Sequence, residues 1–319
     1  MTGTIGRTGV TVTPLGFGGA PIGNLYRAMS DDAATAVVDA AWDVGLRYFD
    51  TAPHYGLGLS ERRLGSALAR RPREEYVLSS KVGRLLVPNP APTGSDLAML
   101  FDTPDDLTRV LDYSADGVRR SIDASLARLG TDHLDIALVH DPDDHMDQAL
   151  REAVPALLRL RDEGVVRAVG VGMNTPEGPA FFVQKSDVDV VLLAGRWTLL
   201  DRSGAGLLEL CAERGVSVLA AAPFNSGLLA TPEPAAAGTV DYRQATDDEV
   251  AAARRLAQRA RDHGAVLPQA ALQFPLRHRA VAAVVAGLRT PAEVAAAAAW
   301  MAEPVADEFW AEQAERSSP

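Results

Sequence analysis

Short apolar segments alternate with longer helical patterns along almost the whole chain, and this alternation restricts the fold more than any other feature. Capping residues and glycines mark where the helical patterns begin and end: Ser30 precedes the pattern 31–44, and Gly45 ends it. Strands that alternate with helices form right-handed βαβ units, which build a parallel sheet. The β-branched runs number eight and are centred near Leu15, Tyr48, Val77, Ile136, Val169, Val190, Val218 and Val284.

Eight such units in 319 residues predict a closed (β/α)8 TIM barrel. An open, doubly wound sheet is the alternative, and it requires a GxGxxG turn after the first strand. The glycines of the loop 16–23 (GFGGAPIG) do not have that spacing, so we interpret it as a binding-site loop. Residues 3–13 predict a short N-terminal β-hairpin. The long connections 82–114 and 222–246 predict functional loops on the C-terminal face. We expect residues 1–319 to form a single barrel domain.

The charge and composition of the chain limit its possible binding partners and cellular location. A formal net charge of −11 argues against nucleic-acid or anionic-membrane binding and leaves a small-molecule substrate open. No run of about 18 apolar residues is present, so we expect no membrane span. The only cysteine is Cys211, and no secretory signal is visible, which fits a reducing cytoplasm. The sequence does not decide between a monomer and a small homo-oligomer.

Three ionisable residues end three consecutive predicted strands: Asp50 follows RYF, Lys81 follows YVLSS, and His140 follows LDIALV. The carboxyl ends of parallel strands share one edge, and neighbouring strands are about 5 Å apart, so we expect these side chains to converge. Tyr55 belongs to the loop after Asp50 and should overhang the same edge. A buried lysine needs a carboxylate partner, which Asp50 supplies.

This group of side chains favours proton transfer to or from an oxygen. A phenol has a pKa of about 10, and we expect the Lys81 cation to lower the pKa of Tyr55, while Asp50 keeps Lys81 charged. His140 can orient a carbonyl or hydroxyl oxygen by hydrogen bonding. Tyr55 would then be the general acid or base of a carbonyl–alcohol interconversion. No side chain here carries a hydride, so a redox reaction would need a nicotinamide cofactor.

The motifs around these residues closely resemble the aldo-keto reductase superfamily over nearly the whole chain. The matching segments, in order, are FDTAPHYG with LSERRLGSAL, YVLSSK, LDIALVH, VRAVGVGMN and PFNSGLL. The resemblance implies a (β/α)8 barrel that uses NAD or NADP. It also implies a catalytic tetrad formed by Asp50, Tyr55, Lys81 and His140.

The same resemblance implies roles in cofactor binding. Asn174 would bind the nicotinamide carboxamide, the loop 223–229 would lie on the pyrophosphate, and the segment 287–294 would hold the adenosine part. The sequence departs from the family where a glutamine and a tyrosine are usual, at Ala194 and Ala221. The cofactor residues carried over are Asn174, Pro223, Asn225, Ser226, Gly227, Leu228, Gly287, Arg289 and Glu293.

Within the family, the segments LGFGGAPIGNLY, HDPDDH and LLAGRWTLLD resemble a subgroup that contains L-fucose (D-threo-aldose) 1-dehydrogenases and pyridoxal 4-dehydrogenase. The resemblance implies oxidation of the C1 hemiacetal of an aldose to the lactone, with Tyr55 as the base. Tyr26, His54 and Trp197 would line the sugar pocket, and Trp197 would replace part of the missing ring surface. The alternatives are a pyridoxal 4-dehydrogenase, a general aldehyde or ketone reductase, and a cofactor-sensing subunit without turnover.

Two further choices depend on single segments. Arg289 could bind the 2′-phosphate of NADP, whereas Glu293 would favour the ribose hydroxyl of NAD, and we lean to NAD. The segment 140–145 (HDPDDH) contains metal-ligand residue types, but its spacing matches no standard zinc site, so we expect no metal. We interpret the acids 141–144 as caps of the next helix and as solvated rim residues.

Overall fold

The computed structural model describes residues 3–315, and its main sheet is a closed barrel of eight parallel strands. We number these barrel strands β1 to β8 in chain order. Neighbours in sequence are neighbours in the barrel, and β8 pairs with β1 to close it. The predicted fold is therefore confirmed. The strands are β1 (Leu15–Gly18), β2 (Tyr48–Asp50), β3 (Val77–Val82), β4 (Leu134–His140), β5 (Val166–Met173), β6 (Val190–Ala194), β7 (Ser217–Ala221) and β8 (Val281–Gly287).

The predicted N-terminal hairpin is also present. Strands Gly3–Ile5 and Val10–Val12 pair antiparallel ahead of the barrel. Their apolar side chains, Ile5 among them, pack with interior barrel residues such as Tyr48 and Ile136. The hairpin therefore contributes to the core inside the barrel, away from the carboxyl ends of the strands. A larger core cluster lies between the barrel strands and the surrounding helices.

The helices surround the barrel, and the first of them begins directly after Ser30, as predicted. The Ser30 side chain accepts a hydrogen bond from the N–H of Ala33, and the Thr246 side chain accepts one from Glu249. No helix in residues 3–315 is long and apolar enough to cross a membrane. The helices are α1 (Asp31–Asp43), α2 (Leu59–Leu68), α3 (Ala115–Leu129), α4 (Val154–Asp162), α5 (Glu177–Lys185), α6 (Ala205–Arg214), α7 (Asp247–Asp262), α8 (Leu267–Gln273), α9 (Pro291–Ala302) and α10 (Asp307–Glu315).

One predicted helix is interrupted. The helical pattern over 147–163 favours a continuous helix, but in the structure a single α-turn, Met146–Gln148, is followed by a π-helical turn, Ala149–Ala153, before α4. Pro155 is at the start of α4 and has no backbone N–H to give to the preceding turn. The wider turn accommodates this missing donor, and such π-turns are a known way of doing so.

The two long connections contain structure of their own. Between β3 and α3, strands Arg84–Pro88 and Leu107–Leu111 form an antiparallel hairpin, which we call the first rim hairpin. Between β7 and α7, strands Thr239–Val240 and Arg243–Gln244 form a shorter one, the second rim hairpin. The sequence predicted only functional loops there. Both hairpins follow the carboxyl ends of barrel strands, which is the face where such barrels carry their sites.

Candidate active site

The carboxyl ends of the eight barrel strands border a cavity of about 570 Å³, which is within the usual range for small-molecule pockets. Its floor includes Gly172, Leu192 and Val285 from β5, β6 and β8. Its walls come from the loop after β1, from residues 98–101 of the connection after β3, and from the connection after β7. Because these segments are far apart in sequence, the cavity exists only in the closed barrel.

Asp50, Lys81 and Tyr55 form a continuous hydrogen-bonded group at this cavity. The Lys81 ammonium donates to Oδ2 of Asp50 at 2.7 Å, to the Thr51 carbonyl at 2.9 Å and to the Tyr55 hydroxyl at 3.2 Å. These contacts use all three donors of the ammonium group. The Lys81 side chain is 1% exposed and that of Asp50 is 4% exposed, so the ion pair is buried.

The register of the strands explains why these side chains meet. Asp50, the last residue of β2, is aligned with Ser79 of β3. Side chains two residues apart on a strand point to the same face, so Lys81 lies beside Ser79 and one residue pair further toward the cavity. Its long side chain reaches back to Asp50, while the loop after β2 brings Tyr55 over both.

The electrostatics of the group differ in one respect from the prediction. Burial disfavours the charged form of Lys81, but Asp50 and Tyr55 together raise its pKa above the ordinary value, so Lys81 stays protonated. For Tyr55, burial raises the pKa of the phenol, and this outweighs the lowering by Lys81. Lys81 therefore lowers the pKa of Tyr55 as predicted, but burial, which a sequence pattern does not measure, makes the net shift of that pKa upward.

His140 ends β4 next to Tyr55, and the two ring centroids are 6.0 Å apart and perpendicular. Burial lowers the pKa of His140 well below its ordinary value, and the Lys81 and Arg84 cations act in the same direction. The ring is therefore neutral. The Tyr113 hydroxyl donates to the carbonyl of His140 at 2.7 Å and to that of Asp141 at 3.0 Å, which holds this strand end in place.

Two of the three predicted substrate residues line the cavity. Tyr26 is about half exposed at its mouth, and His54 packs edge-to-face on Phe101, with ring centroids 5.2 Å apart. Burial, aided by the Arg109 cation, lowers the pKa of His54 to about 2, so this ring is neutral as well.

Trp197 does not belong to the site as predicted. It is not among the described residues that line the cavity. Its indole N–H donates to the Pro275 carbonyl at 3.3 Å, and its ring packs on Phe274 with centroids 5.1 Å apart. The Trp197 side chain thus points toward the segment after α8, where Phe274 provides an apolar surface for it to pack against. The aromatic surface of the cavity comes instead from Phe101, Phe224 and Tyr242.

Most of the predicted cofactor residues also line the cavity, and two do not. Asn225 and Leu228 are not among its described lining residues. Both are buried, and Leu228 packs in the hydrophobic cluster with α7 and α8. They belong to a tight turn in which Asn225 and Ser226 have left-handed backbone conformations, so successive side chains leave it in different directions. The predicted residues that line the cavity are Asn174, Pro223, Ser226, Gly227, Gly287, Arg289 and Glu293.

Arg289 contacts the loop after β1. Its guanidinium donates to the carbonyl oxygens of Leu25 at 3.2 Å, Arg27 at 2.7 Å and Ala28 at 3.0 Å. The Glu293 carboxylate accepts the backbone N–H of Arg289 at 2.8 Å. The arginine that we had considered for a phosphate therefore has three contacts within the protein and holds one wall of the cavity.

Asp141 was interpreted as a helix cap and a solvated rim residue, and it is at the rim but does not cap a helix. It lines the cavity directly after His140, and its φ of +42° is uncommon for a residue with a side chain. Its carboxylate accepts from Arg84 of the first rim hairpin at 3.0 Å and from the Asn174 amide at 3.2 Å. Its position directly after His140, at the end of β4, was the sequence feature that could have indicated a place at the cavity.

Tyr242, at the tip of the second rim hairpin, is another lining residue that we missed. Its φ of +62° is left-handed, and more than half of its surface is exposed. Its backbone N–H donates to the Ser226 hydroxyl at 3.2 Å, which ties the hairpin to the turn after β7. The surrounding sequence has no strong periodicity, so no pattern indicated this placement.

The structure thus combines a closed parallel barrel with a buried Asp50–Lys81 pair, a tyrosine hydrogen-bonded to it and a neutral histidine at one rim. The model described as "Aldo/keto reductase family" matches residues 14–316, and the chain belongs to this family. It is 47% identical over 311 residues to a D-threo-aldose 1-dehydrogenase from Pseudomonas, with 96% of this chain and 94% of that protein covered. A pyridoxal 4-dehydrogenase from Microbacterium luteolum is 38% identical, with the same coverage.

Solved structures agree with this assignment. An aldo-keto reductase from Bacillus halodurans, in its holo form, matches the fold with a TM-score of 0.77 and 27% identity. The match covers 98% of this chain and 95% of that one. The predicted family is thus confirmed by sequence and by fold.

Proposed function

We propose that this protein is an NAD(P)-dependent aldose 1-dehydrogenase that oxidises the C1 hemiacetal of an L-fucose or D-threo-aldose type sugar to the lactone. The observation that carries the proposal is the partly buried hydrogen bond from Lys81 to the Tyr55 hydroxyl at the edge of the cavity. The similarity to a D-threo-aldose 1-dehydrogenase at 47% identity supports the choice of substrate.

In this reaction Tyr55 is the general base. As the phenolate, Tyr55 takes the proton from the C1 hydroxyl, and in the reverse direction the phenol gives that proton to the carbonyl oxygen. The Lys81 ammonium stabilises the phenolate at 3.2 Å, and Asp50 keeps Lys81 charged and in position. A nicotinamide dinucleotide, when bound, supplies the hydride acceptor.

His140 orients the reacting oxygen. Because its ring is neutral, it adds no second positive charge beside Lys81, and an N–H of the ring can donate to the sugar hydroxyl or carbonyl. The Nδ1 atom is buried and has no hydrogen-bond partner among the described residues, so Nε2 is the nitrogen that would serve the substrate. The Tyr113 contact to the carbonyl of His140 keeps this strand end rigid.

The cavity lining suits a sugar better than an apolar aldehyde. Polar groups are contributed by His54, Asp141 and Asn174, and aromatic faces by Tyr26, Phe101 and Tyr242. A sugar ring has hydroxyl groups at its edges and apolar C–H groups on its faces. Convergent polar groups fix its orientation, while aromatic rings cover its faces.

The residues after β7 and β8 fit a dinucleotide. A Cβ built on Gly227 would meet no heavy atom of the described residues within 4 Å, so the backbone of this turn is open to a ligand. The Asn225 Oδ1 atom is buried and lacks a hydrogen-bond partner among residues 3–315. Asn174 offers an amide to a carboxamide, although its own amide group now donates to Asp141.

NAD is the cofactor that we propose over NADP. The Arg289 guanidinium already donates to three carbonyl oxygens, and the nearby Glu293 carboxylate would repel a 2′-phosphate and accept a ribose hydroxyl. We expect Glu293→Arg to shift the NADP-to-NAD preference by about 10-fold toward NADP. A wild-type enzyme that already prefers NADP would contradict this assignment.

A panel of aldoses, aldehydes and pyridoxal, assayed with NAD and with NADP by the absorbance of the reduced nicotinamide, tests the proposed activity. We expect turnover with L-fucose or another D-threo-type aldose, and a loss of about 10³-fold in Tyr55→Phe. Faster turnover of pyridoxal than of any aldose would favour the function of the 38% identical relative. Dinucleotide binding without turnover of any panel member would favour the cofactor-sensing alternative.

The cellular setting is part of the proposal. The single cysteine, Cys211, is buried, which is consistent with the predicted cytoplasmic location. The predicted monomer or small homo-oligomer stays a prediction, and sedimentation of the purified enzyme would measure it.

A further inference from the structure

A second hydrogen-bonded chain extends from Asp50 into the interior of the barrel, away from Lys81. The Ser79 hydroxyl is 2.7 Å from Oδ1 of Asp50, and the Tyr48 hydroxyl is 3.1 Å from the Ser79 oxygen. Tyr48 and Ser79 are both fully buried. Neither touches the cavity among its described lining residues, so neither contacts substrate.

The chemistry of the groups fixes the direction of this chain. An ionised carboxylate only accepts hydrogen bonds, so Ser79 gives its single proton to Asp50. The other acceptor near the Ser79 hydroxyl, the Phe49 carbonyl, is more distant at 3.5 Å. The Tyr48 phenol must then donate to Ser79. Both oxygens of Asp50 are thus occupied, Oδ2 by Lys81 and Oδ1 by Ser79.

The barrel interior is shaped to accept the ring of Tyr48. A Cβ on Gly16 of β1 would lie 2.6 Å from the Cδ1 atom of that ring, so a side chain at this position would collide with it. The surroundings are otherwise apolar, with Ile136 and Leu138 in the same cluster. A phenylalanine would fill this space at no polar cost, whereas a buried hydroxyl costs free energy unless it is hydrogen-bonded. The Tyr48 hydroxyl therefore requires an explanation beyond packing.

We propose that Ser79 and Tyr48 are positioning residues for the reaction, which lock the Asp50 carboxylate so that Lys81 is held against the Tyr55 hydroxyl. The proposal rests on the proposed role of Tyr55 as general acid and base. Neither residue touches the reacting atoms, and both act through Asp50. A buried carboxylate with only one donor could rotate, and a shift of the lysine away from Tyr55 would follow.

Loss of the Ser79 hydroxyl has a defined consequence for Tyr55. With Oδ1 lacking a donor, more negative charge remains on Oδ2, and Asp50 draws the Lys81 ammonium more strongly. The bond from Lys81 to Tyr55 weakens, and the phenolate becomes harder to form. The ionisable groups that face Tyr55 from all packed elements are Asp50, Lys81, His54, His140, Asp141, Tyr242 and, from inside the barrel, Tyr48. Ser79→Ala leaves all of these groups in place, so a change in Tyr55 ionisation in that variant is traceable to the Ser79 hydroxyl.

The neighbouring serine provides a matched control. Ser80 is also buried in β3, but its hydroxyl donates to Glu61 at 2.7 Å on the helix side of the strand. Ser80→Ala removes the same atom from the same strand one residue away. Any general weakening of β3 affects both alanine variants, whereas only Ser79→Ala removes a donor from Asp50.

The test compares the pH profile of sugar oxidation in wild type, Ser79→Ala, Ser80→Ala, Tyr48→Phe and the Ser79→Ala/Tyr48→Phe double variant. In Ser79→Ala we expect a fall in kcat of about 10-fold and an alkaline shift of about half a pH unit. In Tyr48→Phe we expect a smaller shift of the same sign. The double variant should match Ser79→Ala, because Tyr48 acts only through Ser79. Ser79→Thr keeps a hydroxyl and should restore the wild-type profile.

A spectroscopic titration separates this proposal from the proposed activity. Absorbance at the tyrosinate band, measured with and without Tyr55→Phe, isolates the ionisation of Tyr55 and needs no substrate. If no sugar is turned over, the proposed function fails, but the alkaline shift in Ser79→Ala would still support the positioning role. Identical profiles in Ser79→Ala and Ser80→Ala, or additive effects in the double variant, would overturn it. If Ser79→Ala does not fold, the pH profile of Tyr48→Phe is compared with those of Ser79→Thr and wild type to test the same proposal.

Discussion

Strands β2, β3 and β4 end in Asp50, Lys81 and His140, whereas β6 and β7, across the barrel, end in Ala194 and Ala221. We call these the reactive side and the open side of the rim. On the reactive side, the buried Lys81 ammonium donates short hydrogen bonds to Asp50 and to the Thr51 carbonyl. On the open side, the strand ends offer only methyl groups, and the cavity wall is built from the chain that follows them.

The open side is shaped by backbone turns. Ala222, Ser226 and Tyr242 have left-handed φ values, a conformation that costs free energy in residues with a side chain. Arg196 anchors the second rim hairpin through its contact with Asp241 at 2.8 Å. Under the proposed function, the strand ends of the reactive side determine the reaction type, and the loops of the open side determine which ligand is bound. Changes on the two sides should therefore have different consequences.

On the reactive side, we expect the largest effect from Lys81→Met. We expect a loss of activity of about 10³-fold, because Tyr55 loses the cation that stabilises its phenolate. We also expect the free energy of unfolding to fall by about 3–5 kcal/mol, because Asp50 becomes a buried, unpaired charge. The Lys81→Met/Asp50→Asn double variant should recover most of that stability without recovering activity. A single variant that keeps near-normal turnover would contradict the role of Lys81.

Asp141 connects the reactive side to Asn174, the predicted cofactor residue after β5, and Asp141→Ala tests this contact. It removes the acceptor for Asn174 and for Arg84, so we expect the KM for the dinucleotide to rise about 10-fold, which is the weight of one charge-assisted hydrogen bond. The exposed acid Asp143 is the control, and Asp143→Ala should leave KM unchanged. Equal effects in both variants would show that only the local negative charge matters.

The neutral histidines of the site make stability depend on pH. His54 and His140 have lowered pKa values in the folded chain, and both would bind a proton below about pH 6.5 when unfolded. The unfolded state then binds more protons. The free energy of unfolding should thus fall as the pH drops from 7 to 5, by up to about 1.4 kcal/mol per pH unit for each histidine. Denaturant titrations of His54→Gln and His140→Gln should each show a flatter dependence. An unchanged slope would contradict this assignment.

The smallest expected effects are those of substitutions at Trp197 and Tyr242. Trp197→Phe removes the bond to the Pro275 carbonyl and should lower the free energy of unfolding by about 1 kcal/mol, with the sugar KM unchanged. Tyr242→Ala removes an aromatic face from the cavity wall and should raise the sugar KM with little effect on stability. If Trp197→Phe raises KM instead, the tryptophan contributes to the site as the sequence first indicated.

The sequence predicted the reactive side well for a physical reason. Short apolar runs identify the strands. Parallel strands bring their carboxyl ends to the same edge of the sheet, so Asp50, Lys81 and His140 could be assigned to one site. Ser30 and Gly45 predicted a helix over 31–44, and α1 is observed at Asp31–Asp43. These inferences needed only local pattern and strand order.

The open side could not be predicted in the same way. The direction of Trp197 depends on apolar partners that come from the segment after α8, nearly 80 residues later. The rim hairpins are short and irregular, and their contribution depends on what they fold against. The pKa of Tyr55 depends on the balance of burial and charge, which only three-dimensional packing sets. Such features are determined by contacts between distant segments, which periodicity does not encode.

The bonds from Arg289 to the loop after β1 have a consequence for how the chain matures. They join residues more than 260 positions apart, and β8 must pair with β1 in the same region. During synthesis on the ribosome, the loop after β1 therefore cannot form these contacts until almost the entire chain has been made. Contacts of such sequence separation make folding slow. We expect nascent chains that stop before β8 to expose the unpaired edge of β1 and to depend on chaperones until the barrel closes.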